Sequence, residues 1–132
     1  DWLYVVDHCQ AILKVLQTGE VGETYNVGGN SERQNIDVVN AICDILDDVA
    51  APLENGESRR SLIRFVTDRP GHDRRYAIDS TKVKNELGWE PQVTFEQGLR
   101  ETILWYLEND AWTGSVLDGS YQDYYEKMYG GR

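Results

Sequence analysis

Residues 68–76 read Asp-Arg-Pro-Gly-His-Asp-Arg-Arg-Tyr, and the Pro70-Gly71 pair leaves the backbone there little choice. Proline at the second place of a four-residue turn fixes φ near −65°, and glycine at the third supplies the positive φ that a type II turn demands. The turn is expected to bring Arg69 and His72 together, with Arg74, Arg75 and Tyr76 behind them. Arginine presents paired donors that match a phosphate edge, and a glycine lets backbone approach a ligand without a side chain in the way. From these residues alone two uses stay open: a grip on a phosphorylated ligand, or an exposed loop paired with the acidic surface of its own chain.

The charge balance narrows the partners. The 132 residues are of single-domain size and 40% hydrophobic, enough to bury a core. The formal net charge is −10 and the pI near 4.5, which argues against nucleic acid or an anionic membrane as partner, because both need a basic face. The charge is nonetheless uneven. Six of the 13 basic residues (Arg59, Arg60, Arg64, Arg69, Arg74, Arg75) lie between Arg59 and Arg75, against two acids, Asp68 and Asp73. An anionic small molecule would be drawn to that island.

Cys9 and Cys43 fall on the apolar faces of expected helices, so buried free thiols are favoured over a disulfide, and with them a reducing compartment. No run is long or apolar enough to span a membrane and no signal-peptide pattern opens the chain, so a cytoplasmic location is expected. The first residues, Asp1-Trp2-Leu3-Tyr4-Val5-Val6, carry no initiator methionine and stand inside an apolar run, so the chain reads as cut from something longer.

Helix and strand signals alternate. Leu3–Val6 reads as a short strand, after which Asp7 caps a helix whose apolar face is Cys9, Ile12, Leu13 and Leu16 and which ends at Gly19. Glu23–Val27 reads as a strand closed by Gly28-Gly29, a pair that could cradle a phosphate or make an ordinary turn. A second helix runs from Ile36 to Val49 with Asn35 as its N-cap. Ala50–Ser61 reads as a loop, and Leu62–Val66 as a strand feeding the arginine turn, the placement that ligand loops have in α/β proteins. Tyr76–Asp79 alternates. Asp79 or Ser80 then caps a helix with Val83 and Leu87, stopped by Gly88. Thr94, with Gln97 in capping-box register, opens a last helix carrying Leu99, Ile103, Tyr106 and Leu107 inward. Beyond it lies a Gly- and Tyr-rich tail (Tyr121, Tyr124, Tyr125, Tyr129), expected to lie on the body as a helical turn. The alternation gives an α/β class, helices packed on a few short strands.

Several chemistries have no support. His8 and His72 are far apart with no metal-ligand spacing around them, so no metal site is expected and His8 reads as structural. There is no GxSxG elbow, and neither cysteine has an electropositive neighbourhood in sequence. The chain carries no catalytic residues of its own by this reading.

Four stretches in order, Asp1-Trp2-Leu3-Tyr4-Val5-x-Asp7-His8, Glu23-Thr24-Tyr25-Asn26-Val27-Gly28-Gly29, Asp68 to Asp79 and Leu87-Gly88-Trp89-x-Pro91, resemble the C-terminal portion of the dTDP-glucose 4,6-dehydratase family, within the extended short-chain dehydrogenases/reductases. The run Asp68–Asp79 is the most specific of them, since related epimerases and decarboxylases keep the Gly-Trp-x-Pro ending and vary in the turn. The resemblance implies a two-part enzyme. An N-terminal Rossmann domain, absent here, would hold NAD, and residues 1–112 would close over the nucleotide sugar, followed by the tail 113–132. It implies oxidation at C4 by hydride transfer to NAD, loss of water across C5 and C6, and return of the hydride to C6, with the catalytic Tyr-x-x-x-Lys and Asp-Glu pairs upstream. It also implies a homodimer for the longer protein.

By the same resemblance, Asn35, Asp68, Arg69, Pro70, Gly71 and His72 are the nucleotide-sugar contacts. Arg69 would meet the diphosphate, Pro70 and Gly71 would shape the loop, and His72 would reach the nucleotide end. Arg74, Arg75 and Tyr76 would support the loop. A sibling epimerase or decarboxylase, and a stand-alone module binding an acidic partner, are the rival readings. If the strands pair with a sheet formed upstream, the fragment alone should expose a strand edge and an apolar patch and self-associate through them.

Overall fold

The computed structural model describes residues 1–68, 70–117 and 119. The chain forms two compact units, Asp1–Arg100 and Glu101–Arg132. Among the described residues it is built from α1 (Val5–Thr18), α2 (Asn35–Val49), a 3₁₀ turn (Arg59–Leu62), α3 (Thr81–Leu87), α4 (Phe95–Glu108) and α5 (Asp110–Leu117).

No strand occurs among the described residues, which corrects the expectation of helices packed on short strands. Val5 and Val6 belong to α1, and Leu62 belongs to the 3₁₀ turn. Phe65 and Val66 are each 87% exposed. Tyr25–Val27 and Ala77–Ile78 lie outside every helix but make no backbone-to-backbone hydrogen bond with a described residue. The β-favouring composition is real; what is missing is a neighbouring strand, and a strand without a ladder is only extended chain.

The core of the first unit lies between α1 and α3. Ala11, Val83, Leu87 and Trp89 are buried together, with Leu3, Val15, Tyr25 and Val27 packed around them. Alpha-helical spacing places Asp7, Ala11 and Val15 on one face of α1, and this is the face that turns inward. The stripe expected to do so, Cys9, Ile12, Leu13 and Leu16, is exposed, Leu16 by 80%. Cys9 is therefore an exposed free thiol, whereas Cys43 on α2 is free and buried as expected. Hydrophobic periodicity reports which side of a helix is apolar and not whether this chain supplies its cover.

Asp7 does not cap α1. It sits within the first turn and is 1% exposed, its Oδ2 accepting hydrogen bonds from the backbone N–H groups of Gln92 (3.0 Å) and Val93 (2.9 Å). A carboxylate buried without such partners would be strongly unfavourable; with them it fastens the segment after Trp89 to the start of α1. Farther along, the helix-end expectations hold locally. The Asp79 carboxylate accepts from Thr81 N at 2.9 Å, α3 ends at Gly88 with φ of 66°, and Thr94 Oγ1 accepts from Gln97 N at 3.3 Å before α4.

In the second unit Trp105 and Trp112 meet edge to face at 5.2 Å between ring centroids, and Tyr106 meets Trp105 at 5.3 Å. Asn109 Nδ2 donates to the Trp105 carbonyl at 2.7 Å where α4 gives way to α5. Ile103 is buried as expected, while Tyr106 and Leu107 are exposed. Tyr121, Tyr124, Tyr125 and Tyr129 of the expected tail lie outside the described residues.

Asp7→Ala should destabilise the chain by about 2–4 kcal/mol in urea unfolding, because it leaves two buried N–H groups without acceptors. Asp7→Asn, which keeps one oxygen acceptor, should cost clearly less; equal losses would contradict the role given to this carboxylate.

Candidate functional site

Asp1 and Trp2 run beside Gly28–Ser31. Trp2 N donates to the Ser31 carbonyl (3.0 Å), Ser31 N donates to Asp1 Oδ1 (2.9 Å), and the Asp1 nitrogen donates to the Tyr76 carbonyl (3.1 Å). The double glycine makes this crossing possible. A Cβ on Gly29 would lie 1.9 Å from the Trp2 carbonyl oxygen, and one on Gly28 would lie 2.6 Å from Asp1 Oδ2 and 2.8 Å from Ile78 Cβ. Gly28-Gly29 is thus a packing site.

With those three stretches joined, the start of α2 faces the arginine turn across a cleft of about 840 Å³, a size within the range of small-molecule pockets. One wall is Glu32, Arg33, Gln34 and Asn35; the other runs from Asp68 through His72 and Arg74 to Tyr76, with Asp1 and Trp2 between. The turn has the expected sense, since Gly71 adopts φ of 71°. Of the residues singled out in sequence, Asn35, Asp68 and His72 come together on this cleft, and Pro70 and Gly71 form the turn without lining it. Arg69 lies outside the described residues.

Charges in the cleft divide into tied and untied. Arg75 clamps the two walls, donating to both carboxylate oxygens of Glu32 at 2.6 and 2.9 Å. That hydrogen bond holds the Glu32 carboxyl below its ordinary value of 4.5 and raises Arg75. Arg33 donates to Glu96 at 2.8 Å and lies 5.2 Å over the Phe95 ring. His72 Nδ1 is 2.9 Å from Asp68 Oδ1. Arg74 makes no ion pair with a described residue. The rest of the arginine island is engaged elsewhere. Arg59 and Arg60 bind Asp47 and Asp44 of α2, and Arg64 donates to the carbonyls of Ser61 and Ile63. Pairing with the acidic surface therefore describes Arg59 and Arg60, while Arg74 lines the cleft with no ion pair to a described residue.

Asn35 is not an N-cap. It is the first residue of α2, the cap position falls to Gln34, and no side-chain capping bond forms. The Asn35 side chain makes no hydrogen bond with a described residue and lies on the cleft wall. The helix begins one residue earlier than its apolar pattern suggests, which moves this amide from the cap into the first turn. Sequence reasoning left Arg33 and Arg74 out of the site. Their signal was weak, because a basic residue beside a helix start or a turn is most often a solvated one.

An open cleft between a helix start and an arginine turn is the kind of place where an anion is held by N–H donors and guanidinium groups. The sequence profile of the GDP-mannose 4,6 dehydratase family matches residues 1–102, and the chain belongs to that family. Within it, the chain is similar to proteins named dTDP-glucose 4,6-dehydratase. It is 66% identical to that of Xanthomonas campestris pv. campestris over 92% of its own length, and 54% identical to that of Shigella flexneri over 100%. It spans only 34% and 36% of those two relatives. Among solved structures it resembles dTDP-glucose 4,6-dehydratase from Bacillus anthracis in complex with NAD, with a TM-score of 0.71 at 52% identity. It also resembles the DesIV enzyme of Streptomyces venezuelae, with a TM-score of 0.73 at 39% identity. Each match covers 85% of this chain and 32% of the solved one.

Gly29→Ala should lower stability by about 3 kcal/mol, at the upper end of what overpacking costs, since the Trp2 backbone cannot yield as a side-chain tip could. Gly114→Ala, where nothing lies within 4 Å of the added carbon, should not destabilise. Equal thermal midpoints for the two variants would refute the crossing.

Proposed function

We propose that this chain is the substrate-gripping portion of a dTDP-glucose 4,6-dehydratase, a lyase that converts dTDP-glucose to dTDP-4-dehydro-6-deoxyglucose with loss of water. The observation that carries the reading is the cleft in which the Asn35 amide and the Arg74 guanidinium, neither engaged by a described residue, stand beside the Pro70-Gly71 turn. It is supported by the close identity to enzymes of that name.

The roles follow from the chemistry of each group. Asn35 offers both an amide donor and a carbonyl acceptor from the first turn of α2, whose leading N–H groups favour an anion. Arg69 meets the diphosphate on the strength of its place in the turn, and Arg74 adds a second cation. Pro70 and Gly71 set the bend. Asp68 and His72 complete the wall. Arg75 is spent holding Glu32, which fits a supporting role.

Gly28-Gly29, the pair in this chain most suited to a pyrophosphate, is packed by the Asp1 and Ile78 side chains and the Trp2 backbone, so it does not offer NAD a cradle. NAD and the groups that perform the reaction belong, on this reading, to the roughly two-thirds of the relatives' length that this chain does not span, and the chain alone is inactive. The exposed stripe of α1 (Val5, Ile12, Leu13, Leu16) is then a surface covered in the longer protein. Left bare beside unpaired extended segments, it drives self-association, whereas the longer protein is a cytoplasmic homodimer.

Calorimetric titration with dTDP and dTDP-glucose, against an acidic peptide of similar charge, tests the reading. The nucleotides should bind and the peptide should not. Asn35→Ala and Arg69→Ala should each weaken dTDP binding about tenfold, the value of a lost hydrogen bond to a charged group. No nucleotide binding, even with the NAD-holding portion of a relative added in trans, would overturn it.

A further inference from the structure

His72 and Asp68 stand four residues apart on either side of the Pro70-Gly71 bend, and the bend brings their side chains to 2.9 Å, Nδ1 to Oδ1. The imidazole side chain is 25% exposed and the carboxylate 75%, so the ring is packed and the carboxylate backs onto solvent. An ionised carboxylate can only accept a hydrogen bond, so the hydrogen between the two sits on Nδ1. In the neutral ring this leaves Nε2 with a lone pair and no hydrogen, an acceptor. Nε2 has no partner among the described residues, and His72 lines the cleft.

We infer that Asp68 is a positioning residue that fixes His72 in its Nδ1–H tautomer, so that His72 recognises a hydroxyl hydrogen of the ligand rather than a phosphate oxygen. The inference rests on the ligand reading above and sharpens it. Phosphate oxygens are acceptors, and an acceptor facing them gains nothing; a ribose or hexose hydroxyl is a donor that Nε2 can take. The cleft then separates its tasks. Guanidinium groups and the Asn35 amide meet the diphosphate, and the imidazole meets a hydroxyl beside it. The Pro70-Gly71 turn serves the hydroxyl as much as the phosphate, because it sets the Asp68-to-His72 distance. Asp68 thus acts through the ring, where the sequence reading had it as a direct contact.

With only two histidines in the chain, long-range nitrogen–proton NMR of the imidazoles in mildly alkaline solution reads this directly. The native chain should show His72 as the Nδ1–H tautomer. Asp68→Ala should move it toward Nε2–H and leave the His8 signals unchanged, which also reports that the fold survives. Asp68→Glu should restore part of the Nδ1–H form. An Nε2–H ring in the native chain, or a tautomer indifferent to Asp68→Ala, would overturn the inference whatever the chain binds.

Titrations with dTDP, its 3′-deoxy analogue and dTDP-glucose give the second arm. A ribose contact predicts that dTDP shifts His72 Nε2 and outcompetes the 3′-deoxy analogue about tenfold, a preference that Asp68→Ala abolishes. A hexose contact predicts equal affinity for the first two and a shift only with dTDP-glucose. Binding without any shift at His72 overturns the hydroxyl assignment. No binding at all, with the Nδ1–H tautomer intact, refutes the ligand reading and not the hold of Asp68 on the ring.

Discussion

Three short stretches that lie far apart in sequence meet where Asp1 and Trp2 cross Gly28-Gly29, and the candidate site exists because they meet. The hydrogen bonds from Trp2 to Ser31, from Ser31 to Asp1 and from Asp1 to Tyr76 are individually modest. Their effect is geometric. One ties the segment entering α2 to the opening residues, and another ties those residues to the end of the arginine turn, so two walls with no direct chain connection come to face each other. The glycines matter through what they lack, since any side chain at either position would occupy the space of the Asp1–Trp2 run. Arg75 and Glu32 then close the wall-to-wall distance with a forked ion pair near the surface, where screening limits its energy but not its effect on alignment.

The same economy governs the arginines. A chain with net charge −10 has acids to spare, and α2 presents Asp44 and Asp47 to the 3₁₀ turn, where Arg60 and Arg59 take them. Those guanidinium groups hold the 3₁₀ turn against α2. Arg74 lines the cleft without an ion pair to a described residue, and His72 is paired with Asp68, so the basic groups nearest the bend are engaged differently from those on the 3₁₀ turn. A cluster that looks uniform in sequence is split by the fold into structural and available members.

What could be read from the residues was local. The Pro70-Gly71 bend, the stop of α3 at Gly88 and the Thr94–Gln97 start of α4 depend on neighbours within four positions, and all three stand as expected. The four helices with clear 3.6-residue patterns were also legible, although α1 turns its Asp7–Ala11–Val15 side inward and leaves its most apolar stripe bare. Periodicity tells which side of a helix is apolar and carries no information about what covers it. The strands are not seen for a related reason, because β-favouring residues at 25–27 and 77–78 find no ladder among the described residues. Asn35 shows the limit at a single residue: a one-position shift in the start of α2 moved an expected cap into the first turn and onto the cleft wall, where it makes no side-chain hydrogen bond with a described residue. Nothing local could have announced the Asp1 crossing, which depends on contacts across 30 and 75 positions.

The proposed role of the chain requires that the cleft beside the bend hold a nucleoside diphosphate. Amide chemical-shift mapping of the chain during titration with dTDP tests this most directly. Perturbations should gather in residues 31–37 and 68–76 and leave α1 unmoved. Shifts centred on the exposed stripe of α1, or none at saturating dTDP, would contradict it.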